Sequence, residues 1–254
     1  GERILFPHLP TYKFDQELKA DENDNIYKEY FNSLSVLMKN YNWSQDLFNK
    51  LSRNIKLVHD KYVPGDAFNR KRCYDLNFWL YDQVFNKLKS TSEYDTKFFK
   101  DTSTRLQEVW KNIVDAKFKG QAFECYPDKD LLLNMGYLQE IKDLLDFFED
   151  YNEMKNEIIN NTYNGCRRYV NYLKQRIPVY YAWRDSCKVK EFACKRYIDD
   201  YMKYRPSSIV PKLSPLIVVM YAYTPCYKSV YDVFVKAKLQ PKRNDGIYKK
   251  NRKA

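Results

Sequence analysis

The sequence predicts an all-α fold: an irregular bundle of about six to eight helices, disulfide-bonded and ending in a flexible basic tail. Three observations carry this. Apolar side chains recur at three- and four-residue steps from Ile26 to Tyr204, the repeat that places them on one helix face. Glycine is scarce, 6 in 254 residues, whereas parallel α/β enzymes need it at tight turns and phosphate loops. No alternating apolar run is long enough to build a sheet.

Taken in order, residues 1–23 are polar, contain prolines and read as an extended N-terminal segment. A first helix follows, with Ile26, Tyr30, Leu34, Leu37 and Met38 on one face. Leu47, Leu51, Ile55 and Val58 form a second stripe, which Pro64-Gly65 ends. Leu76, Leu80, Val84 and Leu88 make a third, with Cys73 near its start. Leu106, Val109, Trp110, Ile113 and Val114 make a fourth, capped by Asp101, Thr102 or Ser103 and ending near Gly120. After Cys125-Tyr126-Pro127 comes a long helix through Leu138, Ile141, Leu145, Phe148 and Ile158 to about Asn160, with a break or kink at Asn164-Gly165. Cys166, Tyr169, Val170, Leu173, Ile177 and Tyr180 continue the pattern, and Pro178 is expected to bend it. A further helix spans Glu191–Tyr204. Residues 205–225, with four prolines, read as loop, and Val230–Val235 as a short helix. The domain reading is a single helical body over 24–235 and a basic tail over 236–254. Trp79, Leu80, Trp110, Ile113, Leu145 and Phe148 are the expected core, with Trp183 on a similar stripe. Residues 89–104 and 205–225 are the expected exposed segments.

Composition narrows the function. The 44% hydrophobic content suffices for one large or two small cores. There are 24 Tyr, 15 Phe and 4 Trp, but chains from AT-rich genes are generally rich in Tyr, Asn and Lys, so a single exposed tyrosine carries no message. The net charge is +11, and its location matters more than its size. Residues 236–254 hold 8 basic side chains against Asp245. Among them are Lys242, Arg243, Lys249, Lys250, Arg252 and Lys253. The rest of the chain has 36 basic and 32 acidic residues, a balance that gives nucleic acid no obvious basic face. The tail reads as a solvated end, with weak contact to an anionic membrane as its alternative use.

The chemistry of catalysis is missing. There is no glycine-rich phosphate loop and no Gly-x-Ser-x-Gly elbow. Asp199-Asp200 reads as a solvated helix face. His8 and His59 are the two histidines, and no Cys-x-x-Cys pair starts a metal site, so neither cofactor nor metal is expected. The sequons Asn42-Trp43-Ser44 and Asn160-Asn161-Thr162 are weak signals in an Asn-rich chain. Residues 1–20 show no signal peptide. The best membrane candidate, Leu216–Tyr223, is far shorter than the ~20 residues a spanning helix needs. Six cysteines without metal spacing favour disulfides over reduced thiols, and hence an oxidising route.

Arg72-Cys73-Tyr74-Asp75-Leu76-Asn77-Phe78-Trp79-Leu80-Tyr81 resembles the Cys-x-x-Leu-Asn-Tyr-Trp-Leu-Tyr signature of the Plasmodium interspersed repeat family, within it the vivax-type variant proteins. Leu76, Phe78, Trp79, Leu80 and Tyr81 are its core. Asp146-Phe147-Phe148-Glu149-Asp150-Tyr151 is similar to the stretch before that family's second cysteine block, here Cys166 through Cys194. The resemblance covers residues from about 24 to 205. It implies an all-α, non-enzymatic ectodomain exported by a malaria parasite to the infected red cell. There it would serve antigenic variation and adhesion, with a host surface protein or an antibody as partner. Two departures stand out. Phe31 and Leu47 occupy positions where relatives usually have cysteines, and the usual transmembrane helix is missing before the Tyr223-Thr224-Pro225 that follows it in relatives. The alternative reading is an internal or soluble exported protein whose tail binds an acidic partner or a membrane surface.

Helix geometry narrows the disulfides. Cys166 and Cys187 on one unbroken helix would lie ~31 Å apart, against the ~7 Å a disulfide tolerates. A turn at Lys188–Lys190 would instead bring Cys187 to Cys194, leaving Cys226 for Cys166. Cys73 and Cys125 remain open, as a pair or as free thiols.

Overall fold

The computed structural model describes residues 3–21, 26–34, 36–91, 95–133, 135–188, 193–213 and 225–243. Among them there is no strand, and the chain is all-α. Nine α-helices occur among the described residues, seven of them ten residues or longer. They are α1 (Pro10–Lys19), α2 (Val36–Lys39), α3 (Ser44–Asp60), α4 (Asn69–Ser90), α5 (Thr96–Lys117), α6 (Met135–Asn160), α7 (Thr162–Trp183), α8 (Ala193–Tyr197) and α9 (Pro225–Leu239). Short 3-10 turns occupy much of the remainder. The chain divides into two compact units, residues 15–138 and residues 1–14 with 139–254.

In the unit of residues 15–138, α3, α4 and α5 supply the core. Leu47, Leu51 and Ile55 face inward from α3, Leu76, Leu80 and Val84 from α4, and Leu106, Trp110 and Ile113 from α5. Each set follows the helical repeat legible in the sequence. The first expected helix is instead broken: a 3-10 turn over Lys28–Ser33 precedes the four residues of α2. Tyr27 enters that turn with φ +56°, a left-handed conformation that cannot continue a helix. The fourth helix begins earlier than expected. Asp95, not Asp101, Thr102 or Ser103, is its N-cap and accepts from the Lys97 amide at 2.6 Å. Phe99, Thr102 and Ser103 are therefore buried on α5, which overturns the expected exposure of 89–104 at those positions. Gly120 supplies φ +84° just past the end of α5, where a side chain would be strained.

In the other unit, the N-terminal stretch is neither solvated nor wholly extended. Arg3 pairs with Asp143 at 2.6 Å and Asp146 at 2.5 Å on α6. The Ile4 amide donates to Gln175 of α7 at 3.0 Å, and the Thr11 hydroxyl to Asp150 at 2.7 Å. His8 lies 2.9 Å from Glu157 and 2.7 Å from the Tyr169 hydroxyl. Residues 10–19 form α1, whose first five residues belong to this unit, because Pro10 is preorganised for the first helical position and Leu9, Phe14 and Leu18 are buried at helical spacing. The long helix breaks at Asn161, not at Asn164-Gly165. Asn161 caps α7 through the Asn164 amide at 3.1 Å. Gly165 sits inside α7 for another reason: a Cβ there would come within 2.7 Å of the Ile158 Cα, so the two helices approach as only glycine allows. α7 runs on past Pro178 to Trp183.

The expected helix over 191–204 is shorter. α8 covers Ala193–Tyr197, and a 3-10 turn follows at Tyr201–Tyr204. Two more turns, Pro206–Ser208 and Val210–Leu213, replace part of the expected exposed loop, and Pro206, Ile209 and Val210 are buried. The apolar run 216–223 lies outside the described residues. α9 extends well beyond Val230–Val235 at both ends.

The first residues of the expected tail, 236–243, are held against the fold. Lys236 and Lys238 belong to α9. Gln240 donates to the Pro178 carbonyl, the Arg243 amide donates to the Ala182 carbonyl at 2.8 Å, and Ser186 donates to the Arg243 carbonyl at 3.1 Å. Lys242 pairs with Asp185, holding that carboxyl below the usual carboxylate range, and Arg243 pairs with Glu140 at 3.0 Å. Residues 240–243 are therefore docked, on the carbonyls of Pro178 and Ala182 in α7 and on the carboxylates of Asp185 and Glu140. Lys249, Lys250, Arg252 and Lys253 lie outside the described residues. Truncation after Leu239 is expected to lower unfolding free energy by about 1–2 kcal/mol relative to truncation after Arg243. Paired thermal melts check this, and equal melting temperatures would mean that these contacts contribute nothing.

Candidate recognition surface

Three disulfides frame the molecule. Cys73 of α4 joins Cys125, Cys166 of α7 joins Cys226 of α9, and Cys187 joins Cys194. Their Cα separations are 5.5, 6.1 and 4.9 Å, within the usual disulfide range. The second and third are the pairings selected by helix geometry. The first places together the two cysteines left open. Non-reducing peptide mapping is expected to return these three linkages. A peptide linking Cys166 to Cys187 would contradict the helix arrangement around Pro178.

The segment Cys73–Tyr81 is an internal staple rather than a contact site. Leu76, Trp79, Leu80 and Tyr81 are buried, and Phe78 is half-buried. Their neighbours fasten the connection that follows α5. Asn77 accepts from the Asp128 amide at 2.8 Å, and the Tyr81 hydroxyl donates to the Asp128 carbonyl at 2.6 Å. Gln107 of α5 donates to that same hydroxyl. Tyr74 donates to the Leu138 carbonyl at 2.9 Å. Trp110 of α5 donates to the Cys125 carbonyl at 2.8 Å, and His59 of α3 accepts from the Cys125 amide at 3.1 Å. Cys125 is thus gripped from three helices, covalently by α4 and through its amide and carbonyl by α3 and α5.

His59 fixes its own protonation state by geometry. Nδ1 faces the Ile55 carbonyl at 2.7 Å and must donate, while Nε2 must accept. Burial pushes its pKa down. The folded-state pKa therefore lies below the unfolded value of about 6.5. Its contribution to stability is complete above that pH and declines as pH falls through it towards the folded pKa. Denaturant melts between pH 7.5 and 5.5 should show stability falling with acid, with a shallower slope in His59→Gln. An unchanged slope would remove His59 as the source.

The expected basic-tail residues do not assemble into a site among the described residues, since Lys242 and Arg243 are paired internally. No metal-ligating cluster and no membrane-crossing helix occur among the described residues either. What reaches solvent is a set of large apolar side chains at helix ends and turns. Val36 and Val63 are exposed in one unit, and Ile159 and Tyr163 flank the α6–α7 junction in the other. Arg167 stacks on Tyr163 at 5.5 Å and donates to its hydroxyl at 3.2 Å. An exposed row on α9 joins this list. It escapes sequence reading because the helix runs beyond its expected bounds, although Tyr227, Tyr231, Val235 and Leu239 follow at four-residue spacing.

The family model of the Plasmodium vivax Vir protein matches residues 9–253. The chain belongs to the Vir family. It is a variant Plasmodium protein, in agreement with the resemblance carried by Cys73–Tyr81. Comparisons with curated proteins and with solved structures return no match. For this Vir chain the match extends the resemblance in both directions, over α1, α9 and the basic tail.

Proposed function

We propose that this Vir-family chain is a non-enzymatic exported protein whose helical scaffold presents exposed segments to host receptors and antibodies. One observation carries the reading. The side chains of the family signature are used inside the fold, so the exposed positions are free to vary without disturbing it. Three disulfides support passage through an oxidising compartment. The Tyr163–Arg167 pair, rigid and aromatic, has the chemistry enriched at protein interface hot spots.

The test is a binding screen of the oxidised 254-residue chain against host cell-surface proteins, followed by Tyr163→Ala and Val63→Ser variants. Specific, saturable binding that an exposed-site variant weakens about tenfold, with unchanged thermal stability, is the expected result. Binding to no host surface protein would overturn the adhesive half of the reading. Antibodies that recognise only the unfolded chain would overturn the antigenic half.

A further inference from the structure

The exposed surface of α9 carries an apolar row beside its charged side chains. Tyr231, Val235 and Leu239 follow at four-residue steps and are 44%, 39% and 83% exposed. Tyr227 stacks on Tyr231 at 5.7 Å and lengthens the row by one turn. The opposite face, Val230, Phe234 and Ala237, is buried. α9 cannot roll to hide the row. The Cys166–Cys226 disulfide fixes its start, and the Gln240 and Arg243 contacts to Pro178 and Ala182 fix its end. Lys228, Lys236 and Lys238 are also exposed, against one acidic residue, Asp232.

We infer that this face of α9 is a contact for an anionic lipid bilayer. The apolar row enters the headgroup–acyl boundary, where tyrosine is also at home, and the lysines meet lipid phosphates and carboxylates. Charge favours lipid over protein, because lysine is depleted at protein interface cores and here it flanks the row. A helix of 15 residues is about 22 Å long, enough to lie on a bilayer but not to cross it. The contact also differs from a basic tail acting alone, since Lys242 and Arg243 are already committed to Asp185 and Glu140. The inference is independent of the host-receptor reading.

The test is flotation of the oxidised 254-residue chain with phosphatidylcholine vesicles, with and without phosphatidylserine, over a range of salt. Binding is expected with phosphatidylserine only, and weakening as salt rises. Val235→Ser with Leu239→Ser should reduce partitioning about tenfold. Lys228→Gln and Lys236→Gln should each reduce it about fivefold. All four positions are exposed, so melting temperatures should hold. Truncation after Arg243 should leave binding that the row variants still abolish. Four results would each overturn the inference: no binding to phosphatidylserine vesicles, binding indifferent to the row variants, complete loss on truncation after Arg243, or a dimer in solution that Leu239→Ser dissociates.

Discussion

Trp110→Ala should lower the unfolding free energy by about 3–5 kcal/mol, the scale of a fully buried aromatic truncation. Trp110 is completely buried on α5 beside Ile113 and Leu106, so the cavity has no route to solvent relaxation. The indole also donates to the Cys125 carbonyl at 2.8 Å, and its loss leaves that acceptor buried. Trp110→Phe separates the two effects: it keeps most of the volume, loses the donor and should cost about 1–3 kcal/mol. Urea denaturation of the oxidised proteins provides the measurement. Equal stability of Trp110→Ala and the parent would mean that α5 faces the other way.

A comparable loss is expected from a charge. Lys71 and Asp75, one turn apart on α4, are 2.9 Å from each other with both side chains wholly excluded from solvent. Lys71→Met removes the cation beside a wholly buried carboxylate, at about 3–5 kcal/mol. The double variant Lys71→Met with Asp75→Leu should recover most of the stability, because an apolar pair of similar volume avoids desolvating two ions. If the double variant is as unstable as the single one, the pair is serving other partners. Lys142 and Asp146 repeat the arrangement on α6 at 2.7 Å, with Arg3 added to the same carboxylate.

Periodicity made the scaffold legible. The stripes through Leu51, Leu80, Trp110 and Leu145 are set by burial, and burial follows a repeat that any reader of the sequence can count. Trp79, Leu80, Trp110, Ile113, Leu145 and Phe148 are all buried. Boundaries were harder, because they depend on one side chain meeting one amide. Asp95 capping Lys97 and Asn161 capping Asn164 are as ordinary in sequence as the residues the reading favoured. The docking of residues 3–11 and 240–243 was invisible for a related reason. Arg3, His8, Lys242 and Arg243 read as solvated charges until the carboxylates of α6 and its neighbours are placed around them. The Cys73–Tyr81 segment was recognisable as a signature, but its task of holding Cys125–Asp128 depends on His59 and Trp110, contributed by other helices.

The pairing of α7 with α9 has a mechanical consequence. Cys166 meets Cys226 and Pro178 meets Gln240 at sequence offsets of 60 and 62, so the two helices run parallel with their first turns welded. A pull on the chain beyond Arg243 first meets the Gln240 and Arg243 hydrogen bonds and the two ion pairs, which give way one after another. α9 then peels from its far end, releasing about 25 Å of extra length as the residues beyond Cys226 extend. At Cys226 the peeling stops, because tension passes through the sulfur bridge into α7 and bypasses everything between 166 and 226. Under tension the oxidised chain behaves as a short extensible leash anchored on α7, and reduction of one bond turns the leash into a rip line.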